Sequence, residues 1–104
     1  MEDSKVAISV VIPFLNEEGS LPELYKRLTE VLSGMDLHYE LLFVDDGSTD
    51  DSNKIVKEFR SHDRTVRLFT FRRNQGKSAA LSVGFQAAVG NYVVTMDADL
   101  QDDP

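Results

Sequence analysis

Apolar residues in this chain fall into two kinds of run. Four are short and nearly unbroken, at residues 6–13, 39–44, 66–71 and 92–96. In the first, Val6, Ala7, Ile8, Val10, Val11 and Ile12 are interrupted only by Ser9. Such a run predicts a strand buried on both faces, the habit of a parallel sheet. Pro13 is expected to end it, because proline brings no N–H to a ladder. Between these runs the apolar spacing becomes helical. Leu21, Leu24, Tyr25, Leu28, Val31 and Leu32 form one stripe. Ser20 followed by Glu23 predicts a capping box at its start, and Gly34 its end. A second helix is predicted with Ser48 or Thr49 as cap, a capping box from Ser48 to Asp51, and Ile55, Val56 and Phe59 on its buried face. A third covers residues 78–89 through Ala80, Leu81, Gly84, Phe85 and Ala88, with side chains small enough for close approach to a sheet. Gly90 should end it.

Strands therefore alternate with helices, β-α-β-α-β-α-β. That order predicts an α/β fold with a mainly parallel, Rossmann-like sheet and helices on both faces. No internal repeat or low-complexity linker divides residues 1–104. The bulky run at 92–96 predicts a central strand whose further neighbours lie beyond residue 104. The chain alone should then be marginal, or pair with another copy through its open sheet edge.

Composition narrows the function. The 104 residues suffice for one layered core, and a hydrophobic content of 41% argues against disorder. There is no cysteine, which excludes disulfides and thiolate chemistry. A net charge of -7 opposes a general nucleic-acid-binding role. It does not oppose a single nucleotide bound with a metal ion, because the metal brings the positive charge. The start of the chain is polar, and no run approaches the ~20 apolar residues of a membrane span. The expectation is a soluble piece on the cytoplasmic side, with any membrane association left to residues beyond 104.

Candidate chemistry collects after the strands, where open α/β sheets bind ligands. Asp97-Ala98-Asp99 follows the fourth run. Side chains two apart on a strand share a face, so both carboxylates can meet one Mg²⁺ or Mn²⁺ ion that also holds a diphosphate. Asp45-Asp46-Gly47-Ser48 follows the second run; a carboxylate there can accept from a base imide or a ribose hydroxyl. After the first run, Pro13, Asn16 and Glu17 either line a base or ribose pocket or belong to an ordinary polar loop. Arg72, Arg73 and Lys77, beside Gly76, either offset diphosphate charge or form a solvated basic face. Neither a Walker loop nor a G-x-G-x-x-G fingerprint is present. His38 and His62 have no partner spacing, and no Ser-His-Asp set is visible.

Taken in order, Val11-Ile12-Pro13-Phe14-Leu15-Asn16-Glu17, Val44-Asp45-Asp46-Gly47-Ser48-Thr49-Asp50, Asn74-Gln75-Gly76-Lys77 and Met96-Asp97-Ala98-Asp99-Leu100-Gln101 resemble the family 2 glycosyltransferases, which have the GT-A fold. The last motif is most similar to the subgroup that moves sugars onto dolichyl or undecaprenyl phosphate. The resemblance implies that residues 1–104 are the N-terminal, donor-binding part of a catalytic domain that is truncated at its C-terminal end. Pro13 and Glu17 would sit by the nucleoside, and Asp46, with Asp45 beside it, would reach the base. Lys77 would border the donor site. Asp97 and Asp99 would flank the metal, with Gln101 nearby. The implied reaction is inverting transfer of a sugar from a UDP- or GDP-linked donor to a polyprenyl phosphate. The acceptor half and further catalytic residues would follow, so the 104 residues alone are expected to be inactive. Two other classes compete: a nucleotidyltransferase making a nucleotide-sugar, which would want a Gly-rich loop after the first strand, and a non-catalytic, self-associating α/β module.

Overall fold

The structure, a computed structural model, describes residues 5–99. In chain order the elements are β1 (Ile8–Phe14), α1 (Leu21–Gly34), β2 (Tyr39–Asp45), α2 (Ser52–His62), β3 (Val66–Thr70), α3 (Lys77–Ala87) and β4 (Tyr92–Thr95). The α/β alternation is as the apolar pattern predicts. Every strand pairing is parallel, and the sheet order is β3-β2-β1-β4. The chain steps outward from β1 to β2 to β3, then returns to the free side of β1. The chain leaves β1 toward β2 and comes back through α3 to β4 on the other side of β1, and a crevice opens between β1 and β4 at the carboxyl edge.

Helices cover both faces of β1 and β2, at the middle of the sheet. Val10, Ile12, Phe14, Leu41 and Phe43 point to one face and form the core with Leu21, Leu24, Leu28 and Leu32 of α1 and Val56 and Phe59 of α2. Tyr25 stacks on Phe59 at 4.0 Å and its hydroxyl donates to Asp63 Oδ2 at 2.5 Å, tying α1 to the end of α2. On the other face α3 lies across β1 and β2. It comes so close that a Cβ on Gly84 would overlap Val11 Cγ1. Ala80 and Gly84 form its buried side, while Phe85 is half exposed.

At the amino edge of the sheet, below α3, a polar group is deliberately enclosed. Glu40 is 6% exposed. Its carboxylate accepts from Ser9 Oγ at 2.6 Å, from the Val89 N–H at 2.9 Å and from Arg67 at 2.9 Å. Ser9 Oγ accepts in turn from the Gly90 N–H. Burial works against the charge on Glu40, but these hydrogen bonds and the Arg67 guanidinium outweigh it and hold the carboxyl below its ordinary range. The network fixes the turn that launches β4.

Several local expectations are corrected. Pro13 does not end β1; it lies inside the strand, opposite Val44. Val11 accepts from Met96 on the β4 side, whereas Phe14 accepts from Asp46 on the β2 side. By alternation Pro13 faces the β4 side, past the end of β4, so its missing N–H interrupts no ladder bond. Neither capping box forms. Ser20 Oγ donates to Glu17, and Glu23 pairs with Arg27. Ser48 Oγ accepts from the Asn16 N–H, and α2 starts only after Asp51. Gly34 is still helical, and the reversal comes at Asp36, with φ 56°. Val31 points to solvent. Among the described residues β4 is bonded only to β1, with Tyr92, Val93 and Val94 exposed; the further neighbours expected for it lie outside the described residues.

Candidate functional site

Four loops meet above the carboxyl edge, and each is tied to the next. The first follows β1. Asn16, at φ 54°, turns its Oδ1 to accept from the Thr49 N–H at 2.8 Å and the Asp50 N–H at 3.2 Å. The Glu17 N–H donates to Ser52 Oγ at 2.8 Å. The β1 loop is thus zipped to the loop after β2.

That second loop is shaped from below by Asp45, which is buried. Its Oδ1 accepts from the Ser48 N–H and its Oδ2 from Asn53 Nδ2, both at 2.8 Å. The turn passes through Gly47 at φ 89°, where a Cβ would sit 2.6 Å from the backbone of Arg73 and Asn74. Only glycine lets the 72–77 loop settle there. Asp46 completes the contact. Its Oδ1 accepts from the Gln75 N–H at 2.7 Å, and both oxygens lie within 3.2 Å of the Gly76 N–H. Lys77 closes the circuit, its Nζ donating to Asp97 Oδ1 at 2.7 Å. Ala98 is turned into the core, and Asp97 and Asp99 are exposed on the cleft side.

Together the loops enclose an open cleft of about 440 Å³. Pro13, Phe14, Leu15 and Glu17 line it from β1, Asp46 from β2, and Asn74, Gly76 and Lys77 from the loop before α3. Asp97, Ala98 and Asp99 line it from β4. Of the residues singled out by sequence, Pro13, Glu17, Asp46, Lys77, Asp97, Ala98 and Asp99 share this cleft. Asn16 and Asp45 are not in its lining; their side chains are committed to the loop backbones and to Asn53. Gln101 lies outside the described residues. Phe14 and Leu15 were not singled out, although the apolar run continuing through Pro13 into Phe14-Leu15 was their signal.

The acidic pair suits a hard divalent cation. It offers carboxylate oxygens from two side chains, and a cation, the Lys77 ammonium, already lies on Asp97. Among the described residues no group of three or more acidic or histidine side chains is placed to hold a metal. Asp97 and Asp99 could share such an ion with phosphate and water, the usual arrangement for Mg²⁺ at a nucleotide.

A parallel sheet with an acidic cleft at its switch point has the architecture of a nucleotide-binding α/β domain. Comparison with known proteins makes this specific. Residues 9–104 match the family described as Glycosyl transferase family 2, and the chain belongs to that family. It is 44% identical over 99 residues to the uncharacterized glycosyltransferase YkcC of Bacillus subtilis, covering 95% of this chain and 31% of that protein. It is 44% identical over 98 residues to the undecaprenyl-phosphate 4-deoxy-4-formamido-L-arabinose transferase of Proteus mirabilis, covering 93% of this chain and 30% of the relative. The chain thus spans about a third of the length of these relatives. Among solved structures, it superposes with TM-score 0.78 and 27% identity on the mannosyltransferase PcManGT of Pyrobaculum calidifontis in complex with GDP-Man and Mn²⁺, covering 91% of this chain and 28% of that one. S. aureus TarS 1-349 in complex with UDP gives TM-score 0.78 and 28% identity, over 90% of this chain and 28% of that one. The fold is that of the GT-A glycosyltransferases. Among the described residues no helix is long and apolar enough to cross a membrane.

Proposed function

We propose that this chain is the donor-binding half of an inverting glycosyltransferase that moves a sugar from a UDP- or GDP-linked donor to a polyprenyl phosphate. The observation that carries this reading is the convergence of Asp97 and Asp99 with Asp46 and Glu17 on one cleft at the β1–β4 switch point. The nucleoside would lie toward Pro13, Glu17 and Asp46, and the diphosphate toward Asp97 and Asp99. A divalent cation held by that pair would supply positive charge against the diphosphate as it departs. The acceptor phosphate oxygen would form a bond to the anomeric carbon from the face opposite the breaking bond to the β-phosphate. The bonding pair would leave with the nucleoside diphosphate. A phosphate acceptor is already ionised at neutral pH, so no side chain need remove a proton. The named activity of the Proteus mirabilis relative supports the choice of a lipid phosphate. Its acceptor site and any membrane association would belong to residues beyond 104.

The test is calorimetric titration of UDP, GDP, CDP and ADP into the folded chain, with and without Mn²⁺. One nucleotide should bind, and more tightly with the metal. Equal, metal-independent binding of all four would overturn the donor-site assignment.

A further inference from the structure

We propose that Lys77 is a built-in counter-cation: its ammonium neutralises Asp97 until a divalent cation displaces it, and then turns to the incoming diphosphate. The inference rests on reading Asp97 and Asp99 as the metal pair, and extends it to how that pair is kept before ligand arrives.

Three observations converge on Lys77. Its Nζ lies 2.7 Å from Asp97 Oδ1, on one of the two carboxylates that flank the cleft. The root of its side chain is fixed. Lys77 is the first residue of α3, and the preceding Gly76, at φ 101°, is held by both carboxylate oxygens of Asp46. The head, in contrast, is free to move. The side chains of Lys77 and Asp97 are 63% and 67% exposed, and lysine carries its charge as a compact point on a flexible four-carbon stem. An exposed pair of this kind shifts an equilibrium by about fivefold at most, so a divalent ion can compete for the carboxylate.

Charge accounting explains the exchange. Without a cation, two carboxylates in one cleft would repel a diphosphate. Lys77 offsets the share of that repulsion that comes from Asp97. When a divalent ion takes over Asp97, the lysine charge is released inside the same cleft, where it can neutralise phosphate oxygens. Metal and diphosphate should therefore bind with mutual assistance. Because Asp46 holds the same loop at its nucleoside end, the ammonium stays within reach after it moves.

The experiment has two arms. In the first, MnCl₂ alone is titrated into the parent chain, Lys77→Met and Asp97→Asn, each checked for folding by circular dichroism. Lys77→Met should bind Mn²⁺ about two- to fivefold more tightly than the parent, the advantage an exposed ion pair can confer. In the second arm the lysines are reductively ¹³C-methylated, and the Lys77 resonance is assigned by its loss in Lys77→Met. Mg²⁺ should move that resonance to the position it already occupies in metal-free Asp97→Asn. A Lys77→Met chain that binds Mn²⁺ no better than the parent, or a Lys77 signal indifferent to both Mg²⁺ and Asp97→Asn, would overturn the proposal. Adding UDP or GDP at saturating Mn²⁺ separates the two readings. Nucleotide binding without the lysine exchange leaves the donor site standing and removes this inference. Lysine exchange without nucleotide binding does the reverse.

Discussion

Glu40 and Asp97 are both carboxylates, yet burial and partners give them opposite tasks. Glu40 is enclosed, and its partners make its charge a structural requirement. Since its folded-state pKa is depressed, its stabilisation is complete above its ordinary value of 4.5 and is lost as pH falls through the lower folded value. Asp63 contributes with the same sign, its burial being outweighed by hydrogen bonds from Tyr25 and Thr65. The urea midpoint should therefore drop as pH falls below about 4.5, and Glu40→Gln should flatten that drop while costing about 1–3 kcal/mol at neutral pH. Asp97 and Asp99 are solvent-facing. Asp97→Asn and Asp99→Asn should each weaken Mn²⁺-assisted nucleotide binding about tenfold or more, with the urea midpoint unchanged within ~0.5 kcal/mol. Calorimetry beside denaturation checks both halves of that statement. The acidic pair was legible because it follows a strand with two-residue spacing. The difference between Asp45 and Asp46, or between Asn16 and Glu17, was not. It depends on amides brought from loops far along the chain, such as Thr49 to Asn16 and Gln75 to Asp46.

Strands and helices were legible wherever burial set the pattern, and their ends were not. Ser20 and Ser48 have the sequence of caps, but the Ser20 hydroxyl donates to Glu17 three residues earlier and the Ser48 hydroxyl accepts from the distant Asn16 N–H. Pro13 has the sequence of a strand end, but its missing donor falls where the neighbouring strand has stopped. Two glycines show how tightly the elements are fitted. Gly84→Ala gains helix propensity, about 1 kcal/mol, yet must push into Val11; overpacking of this kind costs about 1–3 kcal/mol. A net loss of about 0–2 kcal/mol in urea denaturation is expected. At Gly47 an added Cβ meets backbone, at an unfavourable φ, so Gly47→Ala should cost about 2 kcal/mol. It should also lift the 72–77 loop from Asp46. Nucleotide affinity should then fall even under conditions where the variant remains fully folded, which calorimetry on a folded sample would reveal.

At the scale of the molecule, the open edge matters most. Tyr92 is 72% exposed and Val94 46% exposed, on a strand that among the described residues is bonded on one side only. The 104-residue chain should self-associate as its concentration rises, and Val94→Lys should suppress this, because a charge on an edge strand discourages pairing. Sedimentation velocity over a concentration series decides the matter; a parent chain that stays monomeric throughout would remove the edge-pairing prediction. The α/β class was legible from strand and helix alternation. The strand order was not, because nothing local records that β4 returns to the side of β1 away from β2. That return has a consequence during synthesis. β1 is made before β2, but its second partner, β4, emerges only after α3. At ~5–20 residues per second, the central strand of a nascent chain is left with one bare flank for on the order of seconds. In that interval a chaperone, or a neighbouring polypeptide on the same message, can reach the strand before β4 does.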